Sequence, residues 1–167
     1  MAGYWLAQVN VARPLAPVES PELADFVANL DPINALADAA PGFVWRLQTE
    51  DGNATAIRVL GTDMLMINMS VWESLDALAN FVYDSDHLRV MRRRREWFER
   101  MAEAYLVLWW MEAGRIPAIA DAEERLVHLR QFGPTPHAFT FRDPYPAPDG
   151  TGEGSRPTTD PWSCPTS

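Results

Sequence analysis

The chain has 167 residues, which is the length of one domain able to bury its own core, and carries a net charge of −9 at neutral pH. That acidic balance argues against nucleic acid as a partner, because neutralising phosphates needs a basic surface. No apolar run is long enough to span a bilayer, and the N-terminus lacks a charged region followed by a hydrophobic one, so a soluble, cytoplasmic protein without membrane association is expected.

Residues 4–12, YWLAQVNVA, alternate as a strand, with Trp5, Ala7, Val9 and Val11 on one face and Leu6, Gln8 and Asn10 on the other. A helix is predicted from Ser20 or Pro21 to Ala39, with Ser20 as its cap and Pro21 at the first helical position. Pro32 falls inside it and should kink or divide it. Residues 43–49 and 54–60 read as a hairpin across Asp51-Gly52-Asn53. The next strand, MLMINMSVW, follows a bulge or bend at Gly61. Its Leu65, Ile67, Met69 and Val71 make a purely apolar face suited to packing under helices. Met64, Met66, Asn68, Ser70 and Trp72 make a mixed one. A mixed face is either left to water or closed over a pocket or a partner subunit, and the Trp and Met side chains favour closure.

Residues 73–101 are helical, divided near Asp84-Ser85-Asp86, where short polar side chains end one helix and cap the next. A strand at 104–111, a turn at Gly114 to Pro117, a helix at 118–132 and a short strand at 138–142 follow. Residues 143–167 contain six prolines and little to bury, so the domain is expected at 1–142 with a flexible tail at 143–167. Strand, helix, strands, helix, strand is the ferredoxin-like α+β plan, an antiparallel sheet with helices on one face.

Chemistry concentrates in DSDHLRVMRRRREWFERM, residues 84–101. At about 100° per residue, a continuous helix collects Val90, Met91, Trp97, Phe98 and Met101 on one side. His87 and Arg94 project from the same arc, whereas Arg89, Arg92 and Arg93 lie elsewhere. A charged group aimed at the interior needs a partner or a ligand. The competing readings are a core histidine bonded to a carbonyl or to Asp84, and an arginine whose methylenes lie on apolar surface while its head reaches water. Cys164, the single cysteine, excludes an intrachain disulfide and a cysteine-based metal site, and His87, His128 and His137 show no metal-ligand spacing.

The blocks LAQVNVAR, GFVWRLQ, MSVWES, DHLRVMRRRREWF, LVLWWMEAGRIP and RLVHLRQFGPTPHAFTF resemble, in order and over residues 5–142, the bacterial domain-of-unknown-function family 3291 (DUF3291). That family resembles the dimeric α+β barrel superfamily, in which two ferredoxin-like subunits pair as a homodimer and each keeps a pocket between sheet and helices. That superfamily includes cofactor-free quinone-forming monooxygenases of polyketide pathways, haem enzymes, and small isomerases and lyases, so the resemblance implies a small-molecule tailoring enzyme without a cofactor, working by acid/base chemistry as a cyclisation, isomerisation, elimination or cofactor-free oxygenation. Haem is the alternative cofactor, and a non-catalytic metabolite-binding dimer is the alternative function. Haem-degrading members place an asparagine on the first strand, then a tryptophan and an axial histidine on the helix after a strand-ending Val-Trp. Asn10 and Val71-Trp72 match that pattern. Counting onward puts the expected tryptophan at Phe81 and the expected histidine at Met91, one turn beyond His87. The candidate site is therefore His87 as acid/base and Arg94 as anion holder, with Asn10, Asn68, Trp72, Met66, Met91 and Trp109 binding a hydrophobic, aromatic or polyketide-like substrate. Arg46 and Arg58 are expected to pair with acidic groups at the dimer edge, and His128 to pack against the appended segment.

Overall fold

The computed structural model describes residues 3–48 and 65–150, and its centre is β1 (Tyr4–Ala12), the strand that the alternation predicts. It pairs antiparallel with β3 (Met66–Trp72) on one side and β4 (Leu106–Glu112) on the other, and β2 (Phe43–Arg46) lies outside β3. The strand order β2-β3-β1-β4 is that of the ferredoxin-like α+β plan. Register sets the faces: Ala7 stands between Val71 and Trp109, and Gln8 between Ser70 and Leu108. The hairpin turn at 51–53, Arg58, the bend at Gly61 and the chain beyond residue 150 lie outside the described residues.

Each sheet face has its own cover. On the odd-numbered face of β1, Ala7, Val9 and Val11 meet Ile67, Met69, Val71 and Trp109, and α5 (Ile119–Phe132) lays Ala122, Leu126 and Leu129 over them. Asp121 caps α5 by accepting a hydrogen bond from the Ala118 amide at 2.8 Å. On the even-numbered face lie α1 (Ala24–Asp38), α2 (Leu75–Val82), α3 (Ser85–Arg92) and α4 (Arg94–Trp97). Ser74 caps α2 and Asp84 caps α3, so the division near residues 84–86 occurs where short polar side chains satisfy the first amides. No helix among the described residues is long and apolar enough to cross a membrane.

Four expectations change. Pro32 does not divide α1, which runs through it with the proline ring exposed. The Ser20 hydroxyl bonds the Pro17 carbonyl instead of capping, and a short 3-10 turn, Pro21–Leu23, precedes α1. Residues 138–142 form no strand; Phe139 makes only an isolated bridge to Leu108. Packing also continues past Arg142, since Tyr145 and Ala147 join the core around Leu108 and Trp110, and the Trp110 indole donates to the Tyr145 carbonyl at 2.8 Å.

Gly42 joins β2 to α2. Its φ is +82°, its carbonyl accepts from Glu73 N at 2.8 Å, and a Cβ there would stand 2.5 Å from the Ala77 Cβ. Gly42→Ala should cost about 1–3 kcal/mol in urea unfolding, from overpacking together with left-handed strain. Adding Ala77→Gly should restore the overpacking part and leave the strain. Unchanged stability in the single variant would show that the strand–helix approach is looser than this contact implies.

Candidate functional site

The even-numbered face of β1 and β3 cannot pack as a dry core, because Gln8 and Ser70 project from it and are buried. Their polar groups are satisfied locally. The Gln8 Nε2 donates to Asn68 Oδ1 at 2.9 Å and to Ser70 Oγ at 3.0 Å, and the Trp72 indole N–H donates to the same Ser70 oxygen at 2.8 Å. Two strands are thus joined by a side-chain network in which neither Gln8 amide hydrogen is left unpaired.

Above this floor is a cavity of about 170 Å³ lined by α1 to α4. Gln8, Asn10, Met66, Asn68, Ser70 and Trp72 rise from the sheet. From α1 come Phe26, Asn29, Leu30, Ile33, Asn34 and Ala37, spaced as a single helical face. Phe81 on α2 stacks on Trp72 with ring centroids 5.2 Å apart, and its other neighbour is the His87 ring at 4.9 Å. His87, Val90 and Met91 of α3, then Arg94 and Trp97 of α4, complete the wall.

His87 is 8% exposed. Its Nδ1 lies 3.0 Å from the Val82 carbonyl oxygen, and a carbonyl only accepts, so Nδ1 carries the hydrogen and Nε2 is the basic nitrogen of the neutral ring. Burial lowers its pKa below the ordinary 6.5, against the smaller opposing pulls of the Val82 carbonyl and the Asp84 charge. Arg94 lies with its guanidinium carbon 4.5 Å above the Tyr105 ring and 5.7 Å from that of Phe98, so aromatic faces hold it against the wall. Arg46 also lines the cavity, and its Nε and Nη2 donate to the two Asp38 oxygens at 2.8 and 3.3 Å. One acidic partner of Arg46 is therefore in its own chain, at the end of α1.

The helix carrying His87 and Arg94 is not continuous. Arg93 leaves helical geometry at φ −89°, ψ 3°, and its guanidinium bonds Asp25 on α1 and Glu96 at 2.8 Å each. These two carboxylates push the Arg93 pKa up. The chain turns there, and Trp97 and Phe98 then pack with Phe26 at ring separations of 5.5 and 4.9 Å. His87 and Arg94 still reach one cavity, from two helices instead of one.

Of the residues singled out in the sequence, His87, Arg94, Asn10, Asn68, Trp72, Met66 and Met91 line this cavity. Trp109 does not. It pairs with Ala7 on the opposite sheet face and packs in the core under α5, and Trp110, on the cavity side of the sheet, is tied to Tyr145 instead. Sequence reasoning missed Gln8, Ser70, Asn29 and Asn34 as lining residues. The two α1 asparagines carried a readable signal, since they interrupt an apolar stripe at helical spacing just as His87 does.

The haem pattern can be compared with the cavity wall position by position. Met91 and Phe81 stand on the wall where the haem pattern would need a histidine and a tryptophan. Among the described residues no group of three His, Cys, Asp or Glu could hold a metal ion.

The low His87 pKa has a stability consequence. Between the folded value and 6.5 the unfolded chain binds a proton that the folded chain does not, so stability falls as pH drops through this window and levels off below the folded pKa. Urea unfolding at about pH 7.5 and about pH 5 should show this loss, and His87→Gln should make the pH slope shallower. An identical slope in the variant would mean that His87 does not carry the effect.

No curated protein matches the chain. Similar solved structures include SnoaB, a cofactor-independent oxygenase from Streptomyces nogalater, at 16% identity over 70% of this chain and 97% of that one, with a TM-score of 0.43. PA3566 from Pseudomonas aeruginosa is 14% identical over 69% and 97%, with a TM-score of 0.43. A putative antibiotic biosynthesis monooxygenase from Nitrosomonas europaea is 10% identical over 70% and 93%, with a TM-score of 0.42. Residues 5–155 match the family described as Domain of unknown function (DUF3291), and the chain belongs to that family.

Proposed function

We propose that this protein is a small-molecule tailoring enzyme that moves a proton at carbon on an aromatic or polyketide-like substrate, without a cofactor. The observation that carries the reading is the meeting of His87 and Arg94 in one cavity, above a floor of hydrogen-bonded amide and hydroxyl groups. In this reading a substrate carbonyl lies against the Asn10 and Asn68 amides, and His87 Nε2 takes a proton from the adjacent carbon. Arg94 stabilises the negative oxygen of the resulting enolate. A lowered pKa suits this role, because the ring is then neutral and able to accept at neutral pH. Isomerisation, cyclisation, elimination and oxygenation by direct reaction with dioxygen all start from that enolate.

A homodimer belongs to the same proposal. Trp5, Trp45 and Met111 are half-buried on the sheet face that α5 covers elsewhere, and a second copy would bury them further. Light scattering on the purified protein should give twice the chain mass, and Trp5→Asp should return it to the single-chain mass; a wild-type monomer would remove the dimer.

The chemistry can be tested without knowing the natural substrate. A panel of one- and two-ring phenolic ketones in heavy water should show protein-dependent deuterium uptake at the acidic carbon by NMR. His87→Ala should lower the rate about 10²- to 10⁴-fold, and Arg94→Ala by a comparable factor. Near-normal rates in both folded variants would sink the assignment.

A further inference from the structure

We infer that Phe81 is the positioning residue for His87, its ring setting the plane of the imidazole while the adjacent Val82 carbonyl sets the tautomer. The inference rests on the proposed function, from which it takes His87 as the group that moves the proton.

Val82 is the last residue of α2, so its carbonyl is among those that no amide of the same helix reaches, and His87 Nδ1 bonds it at 3.0 Å. A hydrogen bond at one ring nitrogen fixes that atom and the tautomer, but the ring can still pivot about the bond. Packing against the ring has to set its plane. Phe81 supplies that packing, with its ring centroid 4.9 Å from that of His87 at an interplanar angle of 54°. The same Phe81 ring stacks 5.2 Å from Trp72, at 25°. Trp72 is in turn held on all accounts: it is fully buried, its indole donates to Ser70 Oγ at 2.8 Å, and Phe43 meets it edge-on at 5.4 Å. The plane of His87 is thus referred, through Phe81 and Trp72, to the strand that presents Asn68 and Ser70 to the cavity. Pivoting of the imidazole by about 1 Å relative to that strand would cost about a hundredfold in proton transfer.

Both contacts come from consecutive residues of one anchored helix. Leu75, Leu78 and Val82 bury α2 in the core with Leu6 and Trp72, and Asp84 caps α3 directly after it. Phe81 and Val82 therefore hold His87 from a rigid element, as a precise site requires. The Phe81 ring also excludes water from the imidazole, in line with the lowered pKa that burial gives His87.

Nitrogen-15 NMR of the His87 ring in the full chain, without ligand, reads the positioning directly. At about pH 7.5 the wild-type ring should show the Nδ1–H form. Phe81→Leu should shift it toward the Nε2–H form, which histidine prefers in water. The same variant should lower kcat for deuterium uptake about tenfold to a hundredfold, with KM changed less than about threefold. Phe81→Met, which fills the space without a flat ring, should do likewise and serves if the leucine variant does not fold. Phe81→Tyr restores a ring and should recover the Nδ1–H form and most of the rate. A Phe81 that only fills the core would lower stability in urea and leave the tautomer and kcat in place. That result, or a lower kcat with the tautomer unmoved, would overturn the inference. A tautomer shift in the variants, with no deuterium uptake by the wild type, would end the enzymatic reading alone.

Discussion

A buried carboxamide on the central strand constrains most of what surrounds it. Gln8 is 5% exposed and spends both amide hydrogens on the neighbouring strand, on Asn68 and Ser70, while Trp72 supplies a third bond to the Ser70 oxygen. A slip of one residue between β1 and β3 would turn Gln8 toward Trp109 and Leu126, where no polar partner waits, at a cost of several kcal/mol. The network locks the register and keeps the even-numbered face polar. Helices α1 to α4 then cannot close on it as they would on a dry core, and the space they leave is the cavity.

A second constraint places the two charged candidates. Arg93 is pulled toward α1 by Asp25 and toward the next turn by Glu96, and the helix ends beneath it. The break lets Arg94 begin a new turn over Tyr105, with Trp97 and Phe98 buried behind it against Phe26. An exposed ion pair of this kind contributes little stability by itself. Its importance here is directional, because it sets the angle at which the aromatic residues enter the core.

Legibility followed range along the chain. The strand at 4–12, the caps at Ser74 and Asp84 and the contrast between the two faces of β3 were readable, since period-two alternation and capping act over a few residues. His87 and Arg94 were readable as polar groups among apolar ones, although the continuous helix behind that reading does not exist. The alternation cannot place Trp109, because a strand presents two equivalent-looking faces. Nothing local says which face takes α5, and Trp109 proved to be on it. Asn29 and Asn34 are hard to read as pocket residues, because asparagine in a helix more often signals a cap or a turn than a pocket wall.

What the sequence determined by itself was the order of the elements, the two-faced character of the sheet and the presence of ionisable groups that burial would have to reconcile. Each of these comes from side-chain chemistry repeating at two or at 3.6 residues, so each survives without knowledge of distant contacts. The tertiary structure alone decided that α5 covers one face and the other helices the second, that Asp38 reaches Arg46, and that Val82 fixes the tautomer of His87. Those outcomes depend on which separated surfaces lose the most water on meeting and on which buried polar atoms find partners, and both are properties of the assembled fold.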